Sequence, residues 1–237
     1  TAAFRAADLG QSVILIERYS TIGGVCLNVG CIPSKALLHT AKVITDAEDT
    51  GSHGVTFTKP KIDLEKLRDW KSNRVVKKLT MGLSQMAKQR GVQVIEGYGE
   101  FSSSNQISVK LVDGSQKTIG FKSAVIAAGS QSTKIPGMPE DDRIMDSTGA
   151  LELKDIPKKL LVIGGGIIGL EMGTVYDAMG SDVSVVELTD GLIQGCDRDI
   201  VRPLHKRMEK RFENIWLGTK VSKLEVKKEG ILVHFEG

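Results

Sequence analysis

An α/β chain carrying two successive doubly wound units, both incomplete, is the fold class the sequence predicts. Three observations carry this expectation: an apolar strand running into G-x-G-x-x-G at Gly164–Gly169, a copy of the tail of that pattern at the start of the chain, and a glycine-rich loop holding Cys26 and Cys31 between them. The composition is ordinary for a globular chain, at 237 residues, 41% hydrophobic and 26% charged, enough for two domains. A net charge of +3 is too small to argue for nucleic acid, and no apolar run approaches the roughly 20 residues of a membrane helix. With three cysteines and no recognisable signal peptide at Thr1, an intracellular chain is expected.

The strongest element is Leu160-Leu161-Val162-Ile163 followed by Gly164-Gly165-Gly166-Ile167-Ile168-Gly169-Leu170-Glu171. It reads as a strand, a tight glycine turn and a helix running to about Met179 with Gly180 as its stop, then a strand from Val183 to Val186 ending in Glu187. The glycines permit the turn, the close approach of backbone to a pyrophosphate and tight helix–strand packing, while the helix N-terminus attracts the phosphate charge. Glu187 is placed to accept from a ribose 2′-hydroxyl. A 2′-phosphate would be repelled there, so NAD rather than NADP is expected.

The opening of the chain repeats this pattern from its middle onward. Thr1 to Leu9 is an alanine-rich helix stopped by Gly10, and the strand Val13–Ile16 leads to Glu17 at the interval that separates Gly180 from Glu187. If the repeat continues upstream, the last fingerprint glycine falls just ahead of Thr1, and the sequence begins inside a βαβ unit. Glu17 is then the candidate ribose ligand of a first dinucleotide.

Between the units lies Gly23-Gly24-Val25-Cys26-Leu27-Asn28-Val29-Gly30-Cys31-Ile32-Pro33-Ser34-Lys35. The cysteine pair reads as a redox-active disulfide, with two structural cysteines or half of a zinc site as the alternatives. Zinc needs further ligands at suitable spacing, and Cys196, His39, His53, His205 and His234 are scattered. No metal is expected. On an unbroken helix residues at this spacing lie roughly 8.6 Å apart, beyond the ~7 Å limit for a disulfide. Cys26 is therefore expected in a distorted turn eased by Gly30, with Cys31 near the positive end of the following helix.

That helix is expected from Pro33 to about Glu48, and a long amphipathic one from Asp63 to Arg90. The latter would turn Leu64, Leu67, Val75, Leu79, Leu83 and Met86 to the core and Lys71, Arg74, Lys77, Lys78, Lys88 and Arg90 to solvent. Val92–Glu96, Gln106–Val112, Lys117–Phe121 and Ala124–Ala127 read as strands, with a hairpin turn at Asp113-Gly114. Ile135–Pro139 reads as a linker.

Taken together, the cysteine motif and the Gly164–Glu171 segment resemble the pyridine nucleotide-disulfide oxidoreductases over essentially the whole chain. The resemblance implies two Rossmann-like domains, an FAD-binding one over residues 1–153 without its first strand and phosphate loop, and an NAD-binding one over 154–237. It is nearest to members that oxidise a dihydrolipoyl dithiol with NAD+ inside 2-oxo acid dehydrogenase complexes. Mercuric- or glutathione-reductase-like members, or a non-catalytic nucleotide-fold fragment, are the alternatives. By this resemblance Cys26 exchanges with the substrate dithiol and Cys31 lies against the flavin, with Lys35 near flavin N5 and paired with Glu171. FAD contacts are implied for Glu17, Arg18, Gly23, Gly24, Val25, Cys26, Lys35, Gly99, Ala128, Gly129 and Ser130, although the family usually has threonine at position 128. NAD contacts are implied for Gly164, Gly165, Gly166, Ile167, Ile168, Gly169, Glu171, Glu187 and Val221. The implied partners are a second copy of the chain and the lipoyl domain of an E2 acyltransferase, in a bacterial cytoplasm or a mitochondrial matrix. The family's acid/base His–Glu pair belongs to a C-terminal interface domain, and His39, His205 and His234 do not match it. Residues 1–237 alone are expected to be inactive.

Overall fold

The computed structural model describes residues 1–133 and 135–237, and they group into two compact units that cut across the order of the chain. One comprises residues 1–28 and 72–131, the other residues 29–71 and 132–237.

In the first unit, helix α1 (Ala2–Asp8) gives way at Gly10, with φ +81°, to strand β1 (Ile14–Glu17). β1 lies parallel to β2 (Gln93–Ser103), Ile14 opposite Gln93 and Glu17 opposite Glu96. β2 runs beyond the expected Glu96 because its distal half pairs antiparallel with β3 (Gln106–Leu111), which in turn pairs with β4 (Gln116–Gly120). Gly97 makes this crossing possible: a Cβ there would lie 2.6 Å from the Lys110 carbonyl oxygen. At the β3–β4 turn Asp113 Oδ1 accepts from Ser115 N at 2.9 Å and Ser115 Oγ at 2.6 Å, and Gly114 takes φ +84°. The apolar interior has two parts, Ile22, Ala87 and Val92 packed with Phe4 and Leu15, and Ile95, Val109 and Ile119 packed with Ile16.

Ala124–Ala127, expected as a strand, forms none. An apolar run becomes a strand only where a neighbour completes its backbone hydrogen bonds. No strand pairs with this run among the described residues, and Val125 and Ile126 stand 76% and 77% exposed.

The expected single helix from Asp63 to Arg90 is α4 (Leu64–Asp69), a wider π-helical turn over Trp70–Val76, and α5 (Lys77–Gln89). The wide turn shifts the phase of the helix, so the buried positions on α5 are Thr80 and Ala87. Leu79 and Met86, expected in the core, are 45% and 38% exposed. Lys71, expected on the basic face, is instead buried and donates its Nζ to the Leu151 carbonyl. Burial holds its pKa below the usual lysine value.

The second unit is built on three parallel strands, β5 (Lys159–Ile163), β6 (Asp182–Val186) and β7 (Asn214–Trp216). Helix α3 (Cys31–Asp49) packs against α7 (Ile167–Ala178), and Leu37 and Ala41 join Leu170, Val175, Val183 and Val185 in one core. The short α6 (Ser147–Glu152) is tied to that core by Tyr176, whose hydroxyl donates to the Ala150 carbonyl at 2.9 Å. Arg68 donates to the carbonyls of Leu153 at 3.3 Å and Lys154 at 3.0 Å, so the carbonyls at and just past the end of α6 are met by cations of a neighbouring segment. Helix α8 (Arg198–Glu209) precedes Arg211, which binds Asp177 at 2.5 Å and Glu48 at 3.2 Å and so joins the ends of α7 and α3. Strands β8 (Lys220–Val226) and β9 (Ile231–Glu236) form an antiparallel hairpin.

Candidate functional site

In the second unit Gly164, Gly165 and Gly169 of the turn after β5 each answer a separate steric demand. Gly164 takes φ +105°, where a side chain is strained, and donates its N–H to the Val186 carbonyl at 2.8 Å. A Cβ on Gly165 would lie 2.6 Å from Leu192 Cδ2. On Gly169 it would lie 2.4 Å from the Gly164 carbonyl oxygen and 2.9 Å from Val162 Cγ1, which shows how closely α7 sits on the strand and turn before it. Gly166 is the N-cap of α7, and Ile167 and Ile168 in its first turn are exposed.

Glu187 follows the last residue of β6 and reaches back to this turn. Its Oε2 accepts the Gly165 N–H at 2.7 Å, and its Oε1 accepts both the N–H and the hydroxyl of Thr189, at 2.9 and 2.7 Å. Partial burial pushes the Glu187 pKa up, but these three donors outweigh it and hold the group below the ordinary glutamate value. Gly164, Glu187 and Val221 line one cleft, together with Thr219 and the segment Ile135–Met138 that reads in sequence as a linker. The set could hold the adenosine end of a dinucleotide: Gly164 at the start of the glycine turn that leads into α7 for phosphate, a fixed carboxylate for a ribose, and apolar Val221.

In the first unit Glu17 ends β1, its Oε1 accepting the Tyr19 N–H at 3.2 Å, and the Arg18 guanidinium lies 4.6 Å from the Tyr19 ring centroid. Gly23 and Gly24 take φ +122° and +65° and turn the chain into α2 (Gly24–Val29), which carries Val25 and Cys26. Cys26 thus lies within a short helix rather than the expected distorted turn. Asn28 braces that helix, its Nδ2 donating to the Gly24 carbonyl at 3.0 Å and the Ile22 carbonyl at 3.5 Å while its Oδ1 accepts the Thr21 hydroxyl at 3.0 Å. The irregularity falls at Gly30, whose φ −143° and ψ −121° interrupt the helix before α3 starts at Cys31. Cys26, Cys31 and Cys196 are all exposed.

Gly99 lies inside β2, where a Cβ would stand 3.2 Å from Ile107 Cγ2 and 3.4 Å from Ile16 Cγ2, so sheet packing already demands a small residue. Ala128, Gly129 and Ser130 are exposed and irregular, with Gly129 at φ +73°.

At the start of α3, Lys35 Nζ pairs with Glu171 Oε1 across the α3–α7 contact. Buried Ser34 donates its hydroxyl to Glu171 Oε2 at 2.6 Å, so both carboxylate oxygens are held. Ser34 and Thr189 are the residues that sequence reasoning misses. The available signal is one of position only: each is a short hydroxyl side chain next to, or two residues from, a charged residue of the pattern.

Among the described residues no group of three or more His, Cys, Asp or Glu is placed to hold a metal ion, and no helix is long and apolar enough to cross a membrane. A family model described as pyridine nucleotide-disulphide oxidoreductase matches residues 1–236. The dihydrolipoyl dehydrogenase of Vibrio parahaemolyticus is 55% identical over 238 residues, covering 100% of this chain and 50% of that protein. Its Haemophilus influenzae counterpart is 53% identical over 100% of this chain and 49% of its own length, and a mitochondrial one from Arabidopsis thaliana is 39% identical over 99% and 46%. The chain spans about half the length of the curated relatives it matches. Among solved structures, the HOCl-induced flavoprotein disulfide reductase RclA from Escherichia coli aligns with a TM-score of 0.82 at 27% identity, over 99% of this chain and 50% of that one. LpdA from Mycobacterium tuberculosis, at 23% identity and a TM-score of 0.86 over 98% of this chain and 51% of its own, shares the fold. With its glycine turn, its paired Lys35 and Glu171 and its cysteine loop, this chain belongs to the pyridine nucleotide-disulfide oxidoreductase family.

Proposed function

We propose that the protein containing this chain is an NAD-dependent dihydrolipoyl dehydrogenase, a flavoprotein that oxidises a dihydrolipoyl group through a Cys26–Cys31 disulfide. The observation that carries the reading is the break at Gly30 between the two cysteines, since an unbroken helix holds residues at that spacing too far apart to bond. Curated relatives named for this activity, at 53–55% identity along the full length of this chain, support it.

The exchange follows ordinary thiol–disulfide chemistry. One lipoyl thiolate attacks Cys26 Sγ, the Cys26–Cys31 bond breaks, and Cys31 leaves as a thiolate. The second lipoyl thiolate then displaces Cys26 from the mixed disulfide, so the lipoyl group leaves oxidised and both cysteines remain reduced. Bound FAD supplies the path by which that electron pair reaches NAD+ and the cysteine disulfide is restored. Cys31, at the first residue of α3, has the helix's positive end beside its leaving sulfur. Lys35 is the cation assigned to negative charge on the cofactor, and Glu171 with Ser34 holds it in place.

FAD is assigned to Glu17, Arg18, Gly23, Gly24, Val25, Gly99, Ala128, Gly129 and Ser130 with Cys26 and Lys35. The positive φ of Gly23, Gly24 and Gly129 suits a backbone that must approach a ligand closely. NAD is assigned to Gly164–Gly169, Glu171, Glu187 and Val221. In this reading residues 1–153 serve FAD and 154–237 serve NAD. The protein works as a homodimer with the lipoyl domain of an E2 acyltransferase, in a bacterial cytoplasm or mitochondrial matrix. Replacing Cys31 with Ser in the full-length protein should leave FAD bound and abolish dihydrolipoamide-dependent reduction of NAD+; turnover that survives overturns the mechanism.

A further inference from the structure

Glu187 is held from two sides, and one of its holders is a side chain that the nucleotide motif does not include. Its Oε2 rests on the Gly165 N–H, while its Oε1 takes both donors of Thr189, the hydroxyl at 2.7 Å and the N–H at 2.9 Å. Thr189 is itself fixed. Its carbonyl accepts the Gly218 N–H at 2.7 Å, its hydroxyl has the Gly191 carbonyl at 3.1 Å as a second neighbour, and a β-branched side chain has few rotamers to explore. A carboxylate offers about four acceptor sites, so three donors leave roughly one for a ligand. The Glu187 main chain is pinned as well, its carbonyl accepting the N–H of Thr219, which lines the cleft beside it at 2.9 Å.

We propose that Thr189 is a positioning residue that fixes the Glu187 carboxylate in the orientation that accepts a free ribose hydroxyl and rejects a 2′-phosphate. The inference rests on the reading of this cleft as the NAD site. A glutamate otherwise turns about three side-chain bonds, and immobilising it on binding costs about 0.6–1.4 kcal/mol, or roughly three- to tenfold in Kd. With Thr189 that ordering is present before the ligand arrives. Without the hydroxyl only the two backbone donors hold the carboxylate, so Glu187 spends more of its time turned away, which weakens its grip on the ribose and also loosens the fixed negative charge that repels a 2′-phosphate. The two effects act in opposite directions on the two nucleotides. Loss of the turn's structure would instead weaken both alike.

The test is calorimetric titration of the full-length, FAD-loaded protein and its Thr189→Val and Thr189→Ser variants with NAD+ and with NADP+. Thr189→Val, which keeps the shape and the backbone donor, should bind NAD+ about three- to tenfold more weakly and NADP+ no more weakly than the parent. The preference ratio then falls by at least about threefold, and Thr189→Ser should restore it to within about twofold. A parent that prefers NAD+ together with a Thr189→Val variant of unchanged ratio overturns the role of Thr189 and leaves the site reading intact. Equal weakening toward both nucleotides also overturns it, by showing a structural part only. A parent with no preference for NAD+ overturns the site reading and this inference together. Should Thr189→Val fail to retain FAD, the same ratio measured on Thr189→Ala decides.

Discussion

Replacing Gly169 with alanine tests whether the glycine turn exists to bring α7 hard against the strand before it. The added Cβ would stand 2.4 Å from the Gly164 carbonyl oxygen and 2.9 Å from Val162 Cγ1. An ordinary carbon–oxygen contact is about 3.3–3.6 Å, so the helix must retreat by about 1 Å. Alanine's better helix propensity returns about 1 kcal/mol. Overpacking costs about 1–3 kcal/mol and falls at the upper end here, because the obstacle is backbone of the turn itself. The net loss is about 1–2 kcal/mol, which for a cooperative unit of about 150–250 residues lowers its Tm by about 2–8 °C. The displaced helix N-terminus should also weaken NAD+ binding. Gly173→Ala, one turn further along α7, is the matched control: its Cβ would meet Phe212 Cζ at 3.1 Å and Val183 Cγ1 at 3.4 Å, side-chain atoms that can yield. It should melt within about 2 °C of the parent, since the propensity gain offsets a small contact. Differential scanning calorimetry and NAD+ titration of both variants in the full-length protein check the argument. A Gly169→Ala protein that melts and binds like the parent would refute it.

Glu187 supports a pH prediction with a definite sign. Its folded pKa lies below the ordinary value of 4.5, so its contribution to stability is complete above that pH and fades only as pH falls through the lower folded value. The Tm gap between parent and Glu187→Gln should stay constant from about pH 7 to about pH 5 and close at more acid pH; a gap that already closes by about pH 5 contradicts the hydrogen-bonding account. Arg211→Met strips partners from Asp177 and Glu48. Burial already raises the Asp177 pKa against the pull of Arg211, so the variant should lose about 1–3 kcal/mol by denaturant unfolding, and adding Asp177→Asn should recover part of it. Equal midpoints for Arg211→Met and the parent would show that the network contributes nothing.

The nucleotide turn was legible because Gly164, Gly165 and Gly169 each answer a local steric demand, and Glu187 because a strand end leaves its side chain beside that turn. The π-helical turn over Trp70–Val76 was not, since a periodicity argument assumes one constant twist and so misplaced Lys71, Leu79 and Met86. Ala124–Ala127 shows the limit of apolar patterning: such a run specifies a strand only in company. The sequence predicts an irregular turn at Cys26 because it does not reveal that the Asn28 amide bonds the carbonyls of Ile22 and Gly24. Ser34 escaped because its partner Glu171 lies 137 residues away. The packing of α3 on α7 draws residues 29–71 into the same compact unit as residues 132–237, a grouping no contiguous boundary can express.

The claim that Cys26 and Cys31 relay electrons is tested most directly by counting thiols. The full-length, FAD-loaded protein is denatured and titrated for accessible thiols before and after anaerobic reduction with NADH. Two thiols should appear on reduction of the parent and none on reduction of Cys31→Ser; a parent that gains no thiols contradicts the relay.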